Sequence, residues 1–355
     1  MNYMLLDLFK IFVPTTLAFF LGIFFTPFAT HFFYKYKMWK KKPRNEINTS
    51  PEFKSIHSQK EKNEISVPCV GGIIIWVSVL LTIFLIYILS ILFPESIFVK
   101  LNFFSRSQTL IPIAIFILGS FFGLIDDILE INGKSHITRH SVWYTRSKIF
   151  TIIILGLLSG LWFYYKLGMS GVHIPFDGTL YLGILFIPFV IFIMFATFSS
   201  GVIDGIDGLS GGVLASIFTA YSVIAFTNNQ IDLATLCGAI TGAILAFLWF
   251  NIPPARFYMG ETGMMPLTIT LATVAFLTDS VLLLPVIAFV LTATSFSSSA
   301  QILSKKLFGK RIFKVAPLHH HFEAIGWPSY KVTMRFWVLS VAFSIIGIIL
   351  AVISR

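Results

Sequence analysis

Charge is what this sequence has least of. Asp, Glu, Lys and Arg make up 12% of its 355 residues, while 56% are hydrophobic. A soluble chain of this length could not hide so much apolar surface in one core, so a water-soluble globular class is excluded. Cysteine is almost absent as well. Cys69 and Cys237 lie within or beside apolar runs with no paired spacing, which excludes a disulfide framework and a cysteine-built zinc site. The chain has no internal repeat and no low-complexity linker. It also has no soluble domain that could present a basic surface, so no nucleic-acid partner is expected.

The mean hydropathy of +0.85 is concentrated in runs. A helix needs roughly 20 apolar residues to cross a hydrocarbon core. Ten runs fall at about 11–34, 69–93, 109–125, 149–165, 181–198, 208–226, 233–250, 266–277, 281–303 and 336–353, the eighth being short. The expected fold class is an all-α polytopic integral membrane protein, a single domain over 1–355 with about ten transmembrane helices. The first run follows Lys10 without a small-residue cleavage site, so it reads as a retained helix rather than a signal peptide. Turn residues and the alternating Val172, Ile174 and Phe176 between Gly168 and Gly178 predict a small hairpin.

Basic residues orient the stack. The odd-numbered loops, at 35–67, 126–148, 199–207, 251–265 and 304–335, hold 21 of the 26 Lys and Arg residues, and the even-numbered loops hold only Lys100, Arg106 and Lys166. The positive-inside rule then places the odd loops in the cytoplasm and both termini outside. The net charge of +10 becomes a property of one face, suited to anionic head groups or a phosphorylated substrate.

The acids share that bias. Asp126, Asp127, Glu130, Asp204, Asp207, Glu261 and Glu323, seven of sixteen, map to the same boundary. Neighbouring carboxylates resist ionising together unless they share a cation, and Mg²⁺ suits a few carboxylates plus phosphate oxygens. Taken singly, an Asp pair at a helix end is often a cap, and Asp204-Gly205-Ile206-Asp207-Gly208 is often only a turn. Their joint occurrence on one face favours a metal-diphosphate site. Three of the eight histidines stand together at the same boundary, in Ala316-Pro317-Leu318-His319-His320-His321-Phe322-Glu323, followed by Gly326-Trp327-Pro328 and Arg335-Phe336-Trp337. Titratable groups beside a bilayer are expensive to desolvate and mark a site. A purification tag would lie at a terminus and run longer.

These segments resemble one family. Phe122-Gly123-Leu124-Ile125-Asp126-Asp127, Asp204 to Leu209, Phe250-Asn251 through Tyr258-Met259-Gly260, and the histidine block through Trp337 look, in order, like phospho-N-acetylmuramoyl-pentapeptide transferases. The Asp motifs are shared by the wider polyprenyl-phosphate sugar-1-phosphate transferases; the histidine block points to the muramoyl branch. The resemblance implies an enzyme of the bacterial inner (plasma) membrane with its active site facing the cytoplasm. It would transfer phospho-N-acetylmuramoyl-pentapeptide from its UDP conjugate to undecaprenyl phosphate, giving lipid I and UMP for peptidoglycan synthesis. Mg²⁺ is the implied cofactor, membrane lipid the surrounding partner, and a homodimer a candidate assembly.

The resemblance also implies residue roles. Asp126 and Asp127 would organise Mg²⁺ and the acceptor phosphate, Glu261 would fill a metal-ligand position, and Lys60 and Lys148 would hold substrate phosphate. Asp204 would face the nucleotide sugar. Gly205, Ile206, Asp207 and Asn251 would bind the nucleotide, and Tyr258 would stack on its base, although an aromatic there is as often simple packing. His319 and His320 would meet the diphosphate or the peptide-bearing sugar, and His321 would bind substrate. Several positions depart from the family pattern: Glu261 stands where Asp is usual, Glu130 replaces a Lys, and Phe198 to Ile203 lacks the usual Asn and Thr residues. Ser66 to Gly72 lacks two threonines, and His57 and Lys60 lie farther ahead of Pro68 than usual.

Two other readings fit parts of the pattern. One is a related transferase moving another sugar-1-phosphate, such as N-acetylglucosamine-1-phosphate; the histidine block argues against it. The other is a non-catalytic polyprenyl-phosphate-binding membrane protein, which has no need of nucleotide-side motifs. The charge distribution itself makes a prediction: a cysteine placed within 35–67 is shielded from an impermeant thiol reagent in intact cells, and one placed at Gly171 reacts. The opposite labelling would reverse the topology.

Overall fold

The computed structural model describes residues 3–39, 66–105, 107–132 and 142–354, the side chains of 3 and 142–146 excepted. In lipid a chain must satisfy its backbone hydrogen bonds internally, and the apolar runs do so as helices. They are α1 (Tyr3–Lys35), α2 (Gly72–Leu92), α3 (Leu110–Ile131), α4 (Val142–Lys166), α5 (Phe186–Ser199), α6 (Leu209–Thr227), α7 (Ile231–Asn251) and α8 (Gly260–Leu277), then α9 (Leu284–Ile287), α10 (Phe289–Phe308), the short α11 (Leu318–Ala324) and α12 (Ser329–Ile353). Among the described residues nine helices are long and apolar enough to cross a membrane, and a bent pair makes a tenth if counted as one crossing.

The helices form an inner group and an outer ring. α6, α7 and α8 are buried over most of their length, whereas α1 and α12 are mainly exposed. Along α1, Phe20, Phe24, Phe28 and Phe32 repeat every fourth residue and point outward, as a lipid-facing row should. On its other side, Gly238 and Gly242 of α7, one turn apart, receive Thr15. Small residues at that spacing let two backbones approach, and dispersion contacts replace the hydrophobic drive that lipid cannot supply.

Two expected runs differ from their elements. The eighth, 266–277, extends back to Gly260 and is an inner helix. Its hydroxyls at Thr262, Thr268 and Thr273 are buried within protein and hydrogen-bonded there, so low hydropathy does not prevent it from crossing. The ninth, 281–303, is not one straight span: Val281–Ile287 and Phe289–Phe308 meet at 86°. Ala288 leaves helical geometry at φ −101 and ψ 37, while Ile287 seats against Gly347 of α12.

The predicted hairpin is present as β1 (Gly171–Ile174) and β2 (Gly178–Tyr181), antiparallel with Val172 opposite Leu180. Phe176 is not a strand residue; it sits exposed in the turn with φ 68. His173 Nε2 lies 3.1 Å from the Ser354 carbonyl, and Gln230 Nε2 donates to the Leu277 carbonyl at 2.6 Å. Even-numbered loops and the chain end therefore meet at one end of the bundle. The opposite end gathers the described parts of the odd-numbered loops. The loop at 35–67 lies almost entirely outside the described residues.

α8 reaches the site because glycines let α2 and α3 close on its start. A Cβ on Gly72 would strike the Gly263 backbone, and one on Gly123 would strike the Glu261 carbonyl. Gly123→Val should lower stability by about 1–3 kcal/mol, the usual cost of overpacking. Gly201→Ala, whose nearest neighbours lie at 3.9 Å, should leave the midpoint unchanged. Thermal unfolding in detergent checks both.

Candidate active site

The last turn of α3 carries two buried carboxylates with different partners. Asp127 faces the start of α8. It accepts hydrogen bonds from the Glu261 amide at 3.1 Å, the Thr262 amide at 2.8 Å and the Thr262 hydroxyl at 2.6 Å. The first amides of a helix have no partner within it and carry its positive dipole end, so a carboxylate from a neighbouring helix serves as their cap. Gly260 makes the approach possible. Its φ is +67, and a Cβ there would lie 2.5 Å from Asp127 Oδ2 and collide with the Cys69 carbonyl. The Gly260 amide donates to Asp204 Oδ2 at 3.3 Å, and Asp204 Oδ1 accepts from Ser210 at 2.7 Å.

Asp126 faces Lys148. The ammonium lies 2.8 Å from Asp126 Oδ2 and 2.9 Å from Glu261 Oε1, joining α4 to α3 and α8. Glu261 is the more open of the two acids, at 33% exposure against 9%. Among the described residues no three of His, Cys, Asp and Glu converge as a metal cluster. Asp126 and Glu261 do converge on a single point, the Lys148 ammonium. Two carboxylates completed by phosphate oxygens and water are a set that suits Mg²⁺. Asp127, grouped with them in the sequence, is turned toward backbone.

The turn from Asp204 to Gly208 forms the opposite wall. Asp207 Oδ2 accepts from the Ala255 amide at 3.3 Å. Gly208, at φ +74, opens α6. Its amide donates to Asn251 Oδ1 at 2.9 Å, and Asn251 Nδ2 donates to the Phe257 carbonyl at 2.8 Å. The buried Asn251 thus clamps the turn to the segment after α7. Trp337 donates to the Gly208 carbonyl at 3.0 Å and lies flat against Gly212. Ile206 is buried in the core, so only its backbone can border a ligand, whereas Gly205 is exposed. Tyr258 is half-buried, its backbone tied to Pro68 and Gly71 at 2.8 Å each.

The histidine block forms α11. Ser297 of α10 accepts from the Leu318 amide at 2.9 Å, and Gln301 accepts from the amides of Ile312 and Phe313 at 3.0 Å. His319 and His320 are buried with ring centroids 4.3 Å apart. A Cβ on Gly205 would lie 2.7 Å from His319 Nε2 and 2.9 Å from His320 Nε2, so this glycine admits both rings. His320 Nδ1 meets Glu323 Oε2 at 2.7 Å. His321 turns away, its Nδ1 accepting from the Lys314 amide at 3.2 Å. Burial, with Lys314 nearby, lowers its pKa below the usual histidine range. Three successive helical residues cannot face one way, and here they divide two and one.

The structure therefore brings Asp126, Asp127, Lys148, Asp204, Gly205, Asp207, Asn251, Glu261, His319 and His320 to one end of the bundle. Lys60 and His57 lie outside the described residues. Thr262, Ser210, Gln301 and Glu323 were not singled out as site residues from sequence. Thr262 leaves a faint mark there, a hydroxyl next to an acid at a helix start, and Glu323 another, an acid one turn after a histidine, whereas Ser210 and Gln301 leave none.

Comparisons with known proteins match this sequence to a named group. The family described as glycosyl transferase family 4 matches residues 109–279. A phospho-N-acetylmuramoyl-pentapeptide-transferase of Chloroflexus aurantiacus is 34% identical over 82% of this chain and 78% of its own length. One from a Geobacillus strain is 30% identical over 83% and 86%. One from Rubrobacter xylanophilus is 42% identical over a shorter stretch, 40% and 43%.

Replacing Asp127 with Asn turns an amide NH₂ against the donors of Glu261 and Thr262. A buried donor left unpaired costs about 1–3 kcal/mol. The variant should lose thermal stability together with turnover, and Thr262→Val should lose stability by a smaller amount. A normal melting midpoint with abolished turnover would move Asp127 from support to chemistry.

Proposed function

The chain belongs to the phospho-N-acetylmuramoyl-pentapeptide-transferase family, and on that premise we propose that it joins phospho-N-acetylmuramoyl-pentapeptide to undecaprenyl phosphate, releasing UMP and forming lipid I. The observation that carries this reading is the meeting of three distant segments. The Asp126–Lys148–Glu261 group, the Asp204–Gly208 turn and the His319–His320 pair border one site at one end of a membrane bundle. That end is the cytoplasmic face of the bacterial inner membrane, as the basic loops indicate. A water-soluble nucleotide reaches it from the aqueous side, and a lipid-borne acceptor reaches it between helices.

In the reaction an oxygen of the acceptor phosphate forms a bond to the β-phosphorus of the UDP conjugate. The bond from that phosphorus to the bridging oxygen breaks, and its electron pair leaves with UMP. The attacking oxygen is already anionic, so positioning and charge neutralisation matter more than proton removal. Asp126 and Glu261 would hold Mg²⁺, which would supply charge neutralisation at the diphosphate. Lys148 compensates the acids and offers its ammonium to phosphate as substrate enters. The nucleotide occupies the Asp204–Asp207 side with Tyr258 near its base, and Asn251 keeps that wall in shape. His319 and His320 donate hydrogen bonds to the diphosphate, which the exposed Gly205 lets approach.

Purified protein should release UMP from UDP-N-acetylmuramoyl-pentapeptide only when polyprenyl phosphate and Mg²⁺ are present, and should not use UDP-N-acetylglucosamine. Glu261→Gln should raise the Mg²⁺ concentration needed by about tenfold or more, the scale of weakened metal sites. Glu261→Asp should keep partial activity. An unchanged Mg²⁺ titration in the Gln variant would remove Glu261 from the metal site, and a preference for UDP-N-acetylglucosamine would overturn the substrate.

A further inference from the structure

Behind His320, on the side away from Gly205, stands a buried carboxylate with a hydroxyl of its own. Glu323 Oε2 lies 2.7 Å from His320 Nδ1, and Glu323 Oε1 accepts from the Ser329 hydroxyl at 2.5 Å. The side chains of His320 and Glu323 are only 8% and 5% exposed. An imidazole hydrogen-bonded to a carboxylate through Nδ1 must carry a proton there, so its tautomer and ring orientation are set. The other nitrogen, Nε2, is the one a Gly205 Cβ would meet at 2.9 Å. Ser329, Glu323 and His320 thus form a line that begins at the first residue of α12 and ends at the turn bearing Asp204.

We propose that Glu323, supported by Ser329, is a positioning residue that keeps His320 as an imidazolium with Nε2–H directed at the diphosphate. This rests on the transferase reading of the same site. A buried negative charge against one side of the ring favours the protonated state, and an imidazolium gives a phosphate oxygen a charge-assisted hydrogen bond that a neutral ring with a bare Nε2 cannot. Other titratable groups stand near His320. His319 lies alongside with ring centroids 4.3 Å apart and carries no negative charge. Asp204 is occupied by Ser210 and the Gly260 amide, and Asp207 by the Ala255 amide. On α12, Lys331 and Arg335 stack over Trp327, at 5.2 and 4.2 Å from its ring centre. Phe322 stacks on that same ring at 4.7 Å, which holds α11 against α12 without involving Glu323.

Glu323→Gln tests the charge with little change in shape, since an amide oxygen can still accept from Nδ1–H. In purified enzyme the variant should keep most of its activity at mildly acidic pH. The basic limb of its kcat profile should move down by about one pH unit or more, the usual effect of losing an adjacent opposite charge. Glu323→Asp should restore part of the profile, and Ser329→Ala should shift it the same way by less. With histidine carrying a labelled ring carbon, the His320 resonance, assigned by its loss in His320→Gln, should titrate at lower pH in Glu323→Gln than in the parent. An equal loss of turnover at every pH with the His320 titration unmoved would overturn the proposal and leave Glu323 as a packing residue. The ring titration reads the pair even in protein that releases no UMP, so failure of the transferase reading would be seen separately.

Discussion

Asp127 is buried at the end of α3 and receives three hydrogen bonds from the first two residues after Gly260, and the layout of the site follows from that contact. A carboxylate taken out of water is costly unless donors surround it, and the unpartnered amides at a helix start supply them without further charge. Once α3 and α8 are joined there, Glu261 is held beside Asp126, and the Gly260 amide is aimed at Asp204. Glycines at 72, 123, 260 and 263 are what let the backbones come close enough. The polar end of α8 is therefore assembled inside protein, although α8 is among the most buried crossings.

Electrostatics divide the site into two halves. On one side Lys148 bridges two acids, leaving a pair of carboxylates and an ammonium that can exchange partners when a cation and phosphate enter. On the other, two imidazoles lie against a glycine that leaves room for a ligand, with a buried carboxylate behind one of them. On the proposed reading, acids that would take a cation and imidazoles that would donate to a diphosphate complement an anionic substrate. The turn from Asp204 to Gly208 links the halves, clamped by Asn251 from one direction and Trp337 from the other.

The bend before α10 has a consequence for this layout. α10 packs on the histidine helix through Ser297 and Gln301 but leaves Ile302, Leu303, Leu307 and Phe308 exposed. The element that supports α11 is thus also one that faces lipid.

Much of this was legible in residue order. Hydropathy placed ten runs, because the length and polarity of a lipid crossing leave little freedom, and the distribution of Lys and Arg paired the odd loops at one end. The acids and histidines could be assigned to that end by counting spans. Hydropathy could not show that the eighth run begins at Gly260 or that the ninth is bent, because both depend on contacts with other helices: Asp127 capping α8, and Ile287 seating on Gly347. Nor could spacing separate Asp126 from Asp127, or His321 from its two neighbours. Adjacent residues on a helix point about 100° apart, and only packing decides which acid meets the Lys148 ammonium and which meets backbone. Sequence alone determined that this chain crosses a membrane and gathers acids and histidines on one side. Tertiary structure decided which of those groups support the fold and which line the site, because that choice depends on donors brought from more than a hundred residues away.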